Sequence, residues 1–196
     1  FPPRNQSVDY HEWFNLHQVA TGEIYTHGVF SKEFEKRLAD FVGAKFALLC
    51  NSGSSANLLA MSALTAIELG DRRLKPGDEV ITTALSFPTT VNPIIQCGLI
   101  PVLVDIELPY YVPLGWTISE SVMSADMFGN SPQIASCKWL LRDICDGLGK
   151  GCHEGDISTY SFYSAHTITT GEGGAVCTND PLLYKLMRSL RDWGRD

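Results

Sequence analysis

The chain has 196 residues, 44% of them hydrophobic and 19% charged, and its formal net charge is −7. This composition is typical of one globular domain, or one large domain with part of another, and a negative chain is poorly suited to binding nucleic acid. No apolar run approaches the roughly 18 residues that span a bilayer, and no signal-peptide pattern is present, so we expect a cytoplasmic protein with no membrane partner. Because the first residue is Phe1 rather than Met, we expect the chain to begin inside a longer one.

Six cysteines are present, and none belongs to a CxxC pair: Cys50, Cys97, Cys137, Cys145, Cys152 and Cys177. Several lie in apolar, strand-like surroundings. Such surroundings are typical of reduced, buried cysteines rather than of disulfides or metal ligands. We therefore expect no metal site.

Apolar spacing and turn residues predict a regular succession of elements along the chain. Helices are predicted over 9–20, 31–42 (with Ser31 as N-cap), 54–69, 90–97 and 181–191. Strands are predicted over 46–50, 79–84, 101–105, 139–143, 160–163 and 175–178. The segment 107–136 is rich in Pro, Gly and Ser, which is typical of loops. The alternation predicts an α/β sheet covered by helices on both faces, with ligands bound at strand ends.

Two strand-to-helix turns carry groups suited to a planar, phosphorylated ligand. The stretch 51–57 follows a buried strand and opens a helix, so its free N–H groups and the Ser54 and Ser55 hydroxyls could hold an anion. It could equally be an ordinary capped turn. Phe87, in the next such turn, could stack on a planar ligand or pack in the core.

Two further segments carry titratable groups. Asp143 and Asp146 lie three residues apart where an apolar strand ends, and a carboxylate there could pair with a protonated ring nitrogen or could simply be solvated. Ser161 lies in the strand predicted over 160–163, which runs into a loop. His166 follows Ser161 by five residues, before the glycine-rich turn 171–174, and a histidine in such a loop is suited to acid–base chemistry.

Taken together and in this order, these segments resemble the DegT/DnrJ/EryC1/StrS family of pyridoxal-phosphate sugar aminotransferases. Within that family the sequence is most similar to the branch of CDP-4-keto-6-deoxyglucose 3-dehydrase, a pyridoxamine-phosphate enzyme of 3,6-dideoxysugar synthesis. The stretches that carry this similarity are 51–60, 74–82, 87–96, the surroundings of His166, and 191–196. The resemblance is strong over 30–105 and 156–196 and weak between them.

The resemblance implies an aspartate-aminotransferase-like fold (fold type I), in which residues 1–196 form a three-layer α/β/α major domain with a mostly parallel mixed sheet. It also implies that the family's C-terminal domain is absent from this chain and that the middle is shortened. The cofactor-binding residues implied by position are Ser54, Ser55 and Ser161 at the phosphate, Phe87 on the ring face, Asp143 at the ring nitrogen and Asp146 at the ring hydroxyl. His166 occupies the position of the Schiff-base lysine.

Two positions depart from the family pattern close to these residues. Asp126 replaces a family histidine, and Arg142 stands where the family usually has Glu, beside Asp143. The iron–sulfur cysteines of the dehydrase branch would lie in the absent C-terminal part, and none of the six cysteines inherits that role.

The function that the resemblance implies is dehydration at C3 of a nucleotide-linked 4-keto-6-deoxysugar. His166 would be the catalytic base, because imidazole cannot form the lysine's Schiff base. The cofactor, pyridoxamine 5′-phosphate or its pyridoxal form, would be held non-covalently in a homodimer, and a reductase partner would supply electrons. Two alternatives stay open: a sugar aminotransferase whose lysine was lost by mutation, and a non-catalytic fragment or binding subunit that retains the fold.

Overall fold

The computed structural model describes residues 9–22, 26–112, 114–117 and 120–195, so Phe1 and the final Asp196 lie outside the described part. The chain divides into two compact units, Phe1–Phe34 and Glu35–Asp196. Its helices are α1 (Tyr10–Thr21), α2 (Val29–Val42), α3 (Gly53–Leu64), α4 (Pro88–Gln96) and α5 (Pro181–Arg191). Its strands are β1 (Phe46–Cys50), β2 (Glu79–Thr83), β3 (Ile100–Val104), β4 (Leu114–Thr117), β5 (Ser121–Ala125), β6 (Gln133–Ser136), β7 (Leu140–Asp143), β8 (Ile157–Ser161) and β9 (Gly174–Thr178).

The first unit contains α1 and the start of α2. Asp9 caps α1 in a reciprocal box with Glu12, since each side chain accepts a hydrogen bond from the other residue's backbone N–H. No residue of α1 is buried. Among the described helices, none is long and apolar enough to cross a membrane.

The second unit is built on a seven-stranded sheet in the order β1-β9-β8-β7-β5-β2-β3. The strands from β8 to β3 are mutually parallel, and β9 runs antiparallel to both of its neighbours. The predicted mostly parallel mixed sheet is therefore confirmed. Because β1 also runs with the parallel set, the carboxyl ends of six strands meet at one edge, where parallel sheets bind ligands.

The two faces of the sheet are covered differently. The helices α3, α4 and α5 pack together on one face over the main hydrophobic core, which includes Leu48, Met61, Leu141, Ile157, Val176 and Leu183. On β8, Thr159 points toward this helical face and Ser158 toward the opposite one, where its hydroxyl contacts His153. The segment containing His153 also bonds the end of α2, since the His153 N–H donates to the Val42 carbonyl.

Several sequence predictions differ from the structure. The strand predicted over 160–163 is β8, which spans Ile157–Ser161. The helix predicted over 54–69 ends at Leu64, and a separate 3-10 turn follows over Ile67–Arg72 with Gly70 at φ +57°. Ser31 is not an N-cap, because α2 already begins at Val29. The segment 107–136, expected to be loops, contains β4 and β6, which form a separate two-stranded sheet, and β5, whose five residues are all buried inside the seven-stranded sheet. Its positions 113, 118 and 119 lie outside the described residues.

The start of β9 lies against the backbone of the turn before α3. A Cβ on Gly174 would lie 2.2 Å from the Ser52 carbonyl carbon, and backbone cannot move aside as a flexible side chain can. We therefore predict that Gly174→Ala lowers the free energy of unfolding, measured by urea denaturation, by about 1–3 kcal/mol. Gly149→Ala is the control, because its Cβ would meet nothing closer than 3.9 Å. Equal stability of the two variants would contradict this packing.

Candidate active site

A cavity of about 600 Å³ opens at the edge where the strand carboxyl ends meet. Six of the seven predicted site residues line it: Ser54, Phe87, Asp143, Asp146, Ser161 and His166. The seventh, Ser55, is not among the lining residues. Its backbone N–H donates to the Ser52 Oγ, and its own Oγ accepts from the Ser52 hydroxyl. The Ser55 side chain is therefore hydrogen-bonded to the N-cap residue of α3.

The first turn of α3 forms one end of the cavity. Ser52 caps the helix, and Gly53 lets it approach β8, since a Cβ there would lie 2.6 Å from the Ser161 Cβ and 2.9 Å from the Cys145 Sγ. This approach places Ser54 and Ser161 in the wall of the same cavity. A helix N-terminus with two nearby hydroxyls is suited to binding an anion such as phosphate.

Asp143 lies in the cavity wall at the last position of β7 and is 6% exposed. Its Oδ2 accepts hydrogen bonds from Asn57 Nδ2 and Thr90 Oγ1, both at 2.8 Å, and its Oδ1 accepts a longer one, 3.3 Å, from the Cys145 N–H. The sequence analysis missed Asn57 and Thr90. A signal for Asn57 did exist, because it is a polar residue on the apolar face of α3, and a buried amide needs partners.

Cys145 also lines the cavity. Burial raises the pKa of its thiol strongly, and the neighbouring Asp143 carboxylate adds to the effect, so the thiol stays protonated at neutral pH. All six cysteines are free. Within the described part of the chain, no group of three or more His, Cys, Asp or Glu residues is arranged to hold a metal ion.

His166 lies in the loop after β8 with its side chain 22% exposed. Its Nδ1 is 3.2 Å from Asp146 Oδ1, so the structure places Asp146 against the imidazole as well as in the cavity wall. The Tyr163 ring meets the imidazole edge-on at 6.5 Å, and Glu172 lines the same cavity. None of the described residues lining the cavity is a lysine.

Phe87 precedes α4 at the mouth of the cavity and is 68% exposed. It does not pack in the core, which was the alternative interpretation of this residue from sequence. Its ring is therefore available to cover a flat ligand.

The two departures from the family pattern contact each other. The Arg142 guanidinium donates to both Asp126 oxygens, and the two side chains are almost fully buried. Burial raises the pKa of the Asp126 carboxyl to about 6, while Arg142 acts in the opposite direction. The Asp126 N–H also donates to the Asp143 carbonyl, so this ion pair lies directly beside the cavity wall.

The profile of the DegT/DnrJ/EryC1/StrS aminotransferase family matches residues 7–196. The chain belongs to this family. It is 44% identical, over its whole length and 49% of the relative, to the lipopolysaccharide biosynthesis protein RfbH of Salmonella typhimurium. It is 46% identical, over 85% of the chain and 40% of the relative, to the dTDP-4-dehydro-2,6-dideoxy-D-glucose 3-dehydratase of Saccharopolyspora spinosa.

Among solved structures, the chain is similar to the Escherichia coli GDP-4-keto-6-deoxy-D-mannose-3-dehydratase with bound hydrated PLP. The TM-score is 0.82 at 27% identity, over 97% of this chain and 54% of that one. This similarity confirms the predicted fold type I architecture. The chain spans about half the length of the curated relatives it matches.

We predict that the Asp126–Arg142 pair can be exchanged only as a unit. Arg142→Glu alone leaves two carboxylates together in a buried site and should lower the free energy of unfolding by about 3–5 kcal/mol. Adding Asp126→His supplies a partner for the new carboxylate and gives the two residue types that the resemblance implies at these positions. The double variant should regain at least half of the loss in urea denaturation. Strictly additive losses would show that the two side chains do not act as a pair.

Proposed function

We propose that the protein is a pyridoxamine-phosphate-dependent enzyme that removes the C3 hydroxyl of a nucleotide-linked 4-keto-6-deoxysugar. The observation that carries this proposal is His166, which faces the cavity from the loop after β8 while no described lining residue is a lysine. Family relatives include sugar 3-dehydratases, and two of them are named for dTDP- and GDP-linked sugars. A nucleotide-linked sugar is therefore the proposed substrate class.

The residues present suit the cofactor. The first turn of α3, with the Ser54 and Ser161 hydroxyls, would bind the phosphate, and Phe87 would cover the ring. Asp143 would pair with the protonated ring nitrogen from within the wall. Ser55, predicted as a third phosphate ligand, would contribute through the helix turn rather than through its hydroxyl, which contacts Ser52. When bound, the cofactor supplies an amine for the 4-keto group and a ring that accepts electrons.

His166 would act as the base. Neutral imidazole carries one N–H, and the Asp146 carboxylate beside Nδ1 favours the tautomer protonated there. That tautomer leaves Nε2 free to accept a proton from the substrate–cofactor complex. We thus propose that Asp146, assigned from the resemblance to the ring hydroxyl, also orients His166.

Since the chain spans about half of its relatives, we propose that it is the cofactor-binding major domain of a longer enzyme. The enzyme would work as a homodimer and receive electrons from a reductase. The second candidate, a sugar aminotransferase, draws support from relatives such as the Helicobacter pylori UDP-4-amino-4,6-dideoxy-N-acetyl-beta-L-altrosamine transaminase, which is 32% identical over 90% of the chain.

The proposed role of His166 is tested with the variant His166→Asn, made in the full-length gene product and assayed for dehydration together with its reductase. Without the base, the dehydration rate should fall by at least about a hundredfold. Binding of pyridoxamine phosphate, measured by equilibrium dialysis, should change less than about threefold, because His166 is not among the proposed phosphate or ring ligands. Thr167→Ala, at an exposed neighbour outside the cavity wall, should keep full activity. Retained dehydration in the asparagine variant would end the proposal.

The cavity without a lysine predicts that no covalent bond forms between protein and cofactor. The protein is incubated with pyridoxal phosphate and then treated with borohydride. After proteolytic digestion, the masses of its peptides are measured by mass spectrometry. We expect no pyridoxyl group on the peptide that contains His166, since no lysine lies between Lys150 and Lys185. His166→Lys, as the positive control, should become labelled. A stoichiometric adduct in the wild-type cavity would contradict this prediction.

A further inference from the structure

Asp143 is a buried carboxylate held only by neutral groups. In the described part of the chain it forms no ion pair, and its hydrogen-bond donors are an amide, a hydroxyl and a backbone N–H. The neighbouring cation Arg142 points to the opposite face of β7, because successive side chains of a strand alternate, and its charge is taken by Asp126, which also lines the cavity. The negative charge of Asp143 is therefore left for a cation in the cavity.

The two oxygens of this carboxylate are used unequally. Oδ2 receives the two short bonds, from Asn57 on α3 and Thr90 on α4. Oδ1 receives the longer bond from the Cys145 N–H. With Oδ2 held from two helices the carboxylate cannot rotate freely, and Oδ1 keeps lone-pair capacity for a donor in the cavity.

The orientation of the Asn57 amide is itself fixed. The Thr159 hydroxyl donates to its Oδ1, so its Nδ2 is directed to Asp143, and the same Nδ2 also reaches the Thr89 carbonyl at 3.1 Å. Asn57 and Thr159 are 1% exposed and Thr90 is 0% exposed, so water does not compete for these bonds. Side chains from α3 and α4 thus converge on one oxygen at the end of β7, and Thr159 on β8 holds one of them in place.

We propose that Asn57 and Thr90 are positioning residues that, acting through Asp143, keep the cofactor's ring nitrogen protonated. This inference rests on the proposed function. The two residues direct the free oxygen of the carboxylate at the ring nitrogen, and because they are neutral they leave its charge undiminished. Thr159 acts one step further away by orienting the amide.

The test uses the full-length gene product loaded with pyridoxamine phosphate that carries ¹⁵N in the ring, whose chemical shift reports protonation. In Thr90→Val, which keeps the shape but removes the donor, the pH midpoint of ring deprotonation should fall by about one unit. The kcat should fall about tenfold while KM changes less than about twofold. Thr90→Ser keeps a hydroxyl and should restore both values.

Two further variants separate this role from general stability. Thr83→Val removes a hydroxyl that is equally buried and has no hydrogen-bond partner in the structure, so the ring nitrogen should titrate as in the wild type. Asn57→Leu should behave like Thr90→Val, and if it does not fold, the threonine variants decide alone. An unchanged titration in Thr90→Val, or no rescue by serine, overturns the inference. Failure of the wild-type protein to bind the cofactor would instead overturn the proposed function, and this inference with it.

Discussion

The cavity depends on a contact between backbones. Gly174 at the start of β9 and Gly53 at the start of α3 allow the turn that carries Ser52 to lie against the ends of β8 and β9, at distances where any Cβ would collide with backbone or with Ser161. The proposed anion-binding end of the site follows from this approach. So does the position of Asn57 one turn along α3, from which it reaches Asp143 across the core.

A second constraint is electrostatic. Three buried charges lie close together: Asp126 directly follows β5, and Arg142 and Asp143 are neighbours on β7. Arg142 is paired with Asp126, so Asp143, whose side chain points away from Arg142, is left with neutral donors. If Arg142 faced the cavity, the carboxylate would be paired internally and would have no charge to offer a ligand.

Much of this arrangement could be predicted from the sequence, because the strands β1, β2 and β7 and the turns that follow them carry clear local signals. The strand β5 could not, since Ser-Val-Met-Ser-Ala is interrupted by two serines and shows no alternation, and an interior parallel strand buried on both faces has no period of two. The Asp146–His166 contact was missed for another reason. It joins two loops whose proximity depends on the pairing of β7 with β8 and is not visible in residue spacing.

The antiparallel strand β9 gives the His166 loop an unusual attachment for an α/β protein. The loop 162–173 leaves β8 and returns into its direct neighbour, where Ser161 is paired with Gly174, and it is closed by its own hydrogen bonds between Phe162 and both Gly173 and Thr170. Since β8 and β9 are antiparallel neighbours, the connection between them contains no crossover helix. A residue in this loop can therefore be exchanged without disturbing any crossover in the sheet, so one scaffold can present a base or a covalent anchor at the same point. Diversification of chemistry in such a fold needs a change of side chain and no change of architecture.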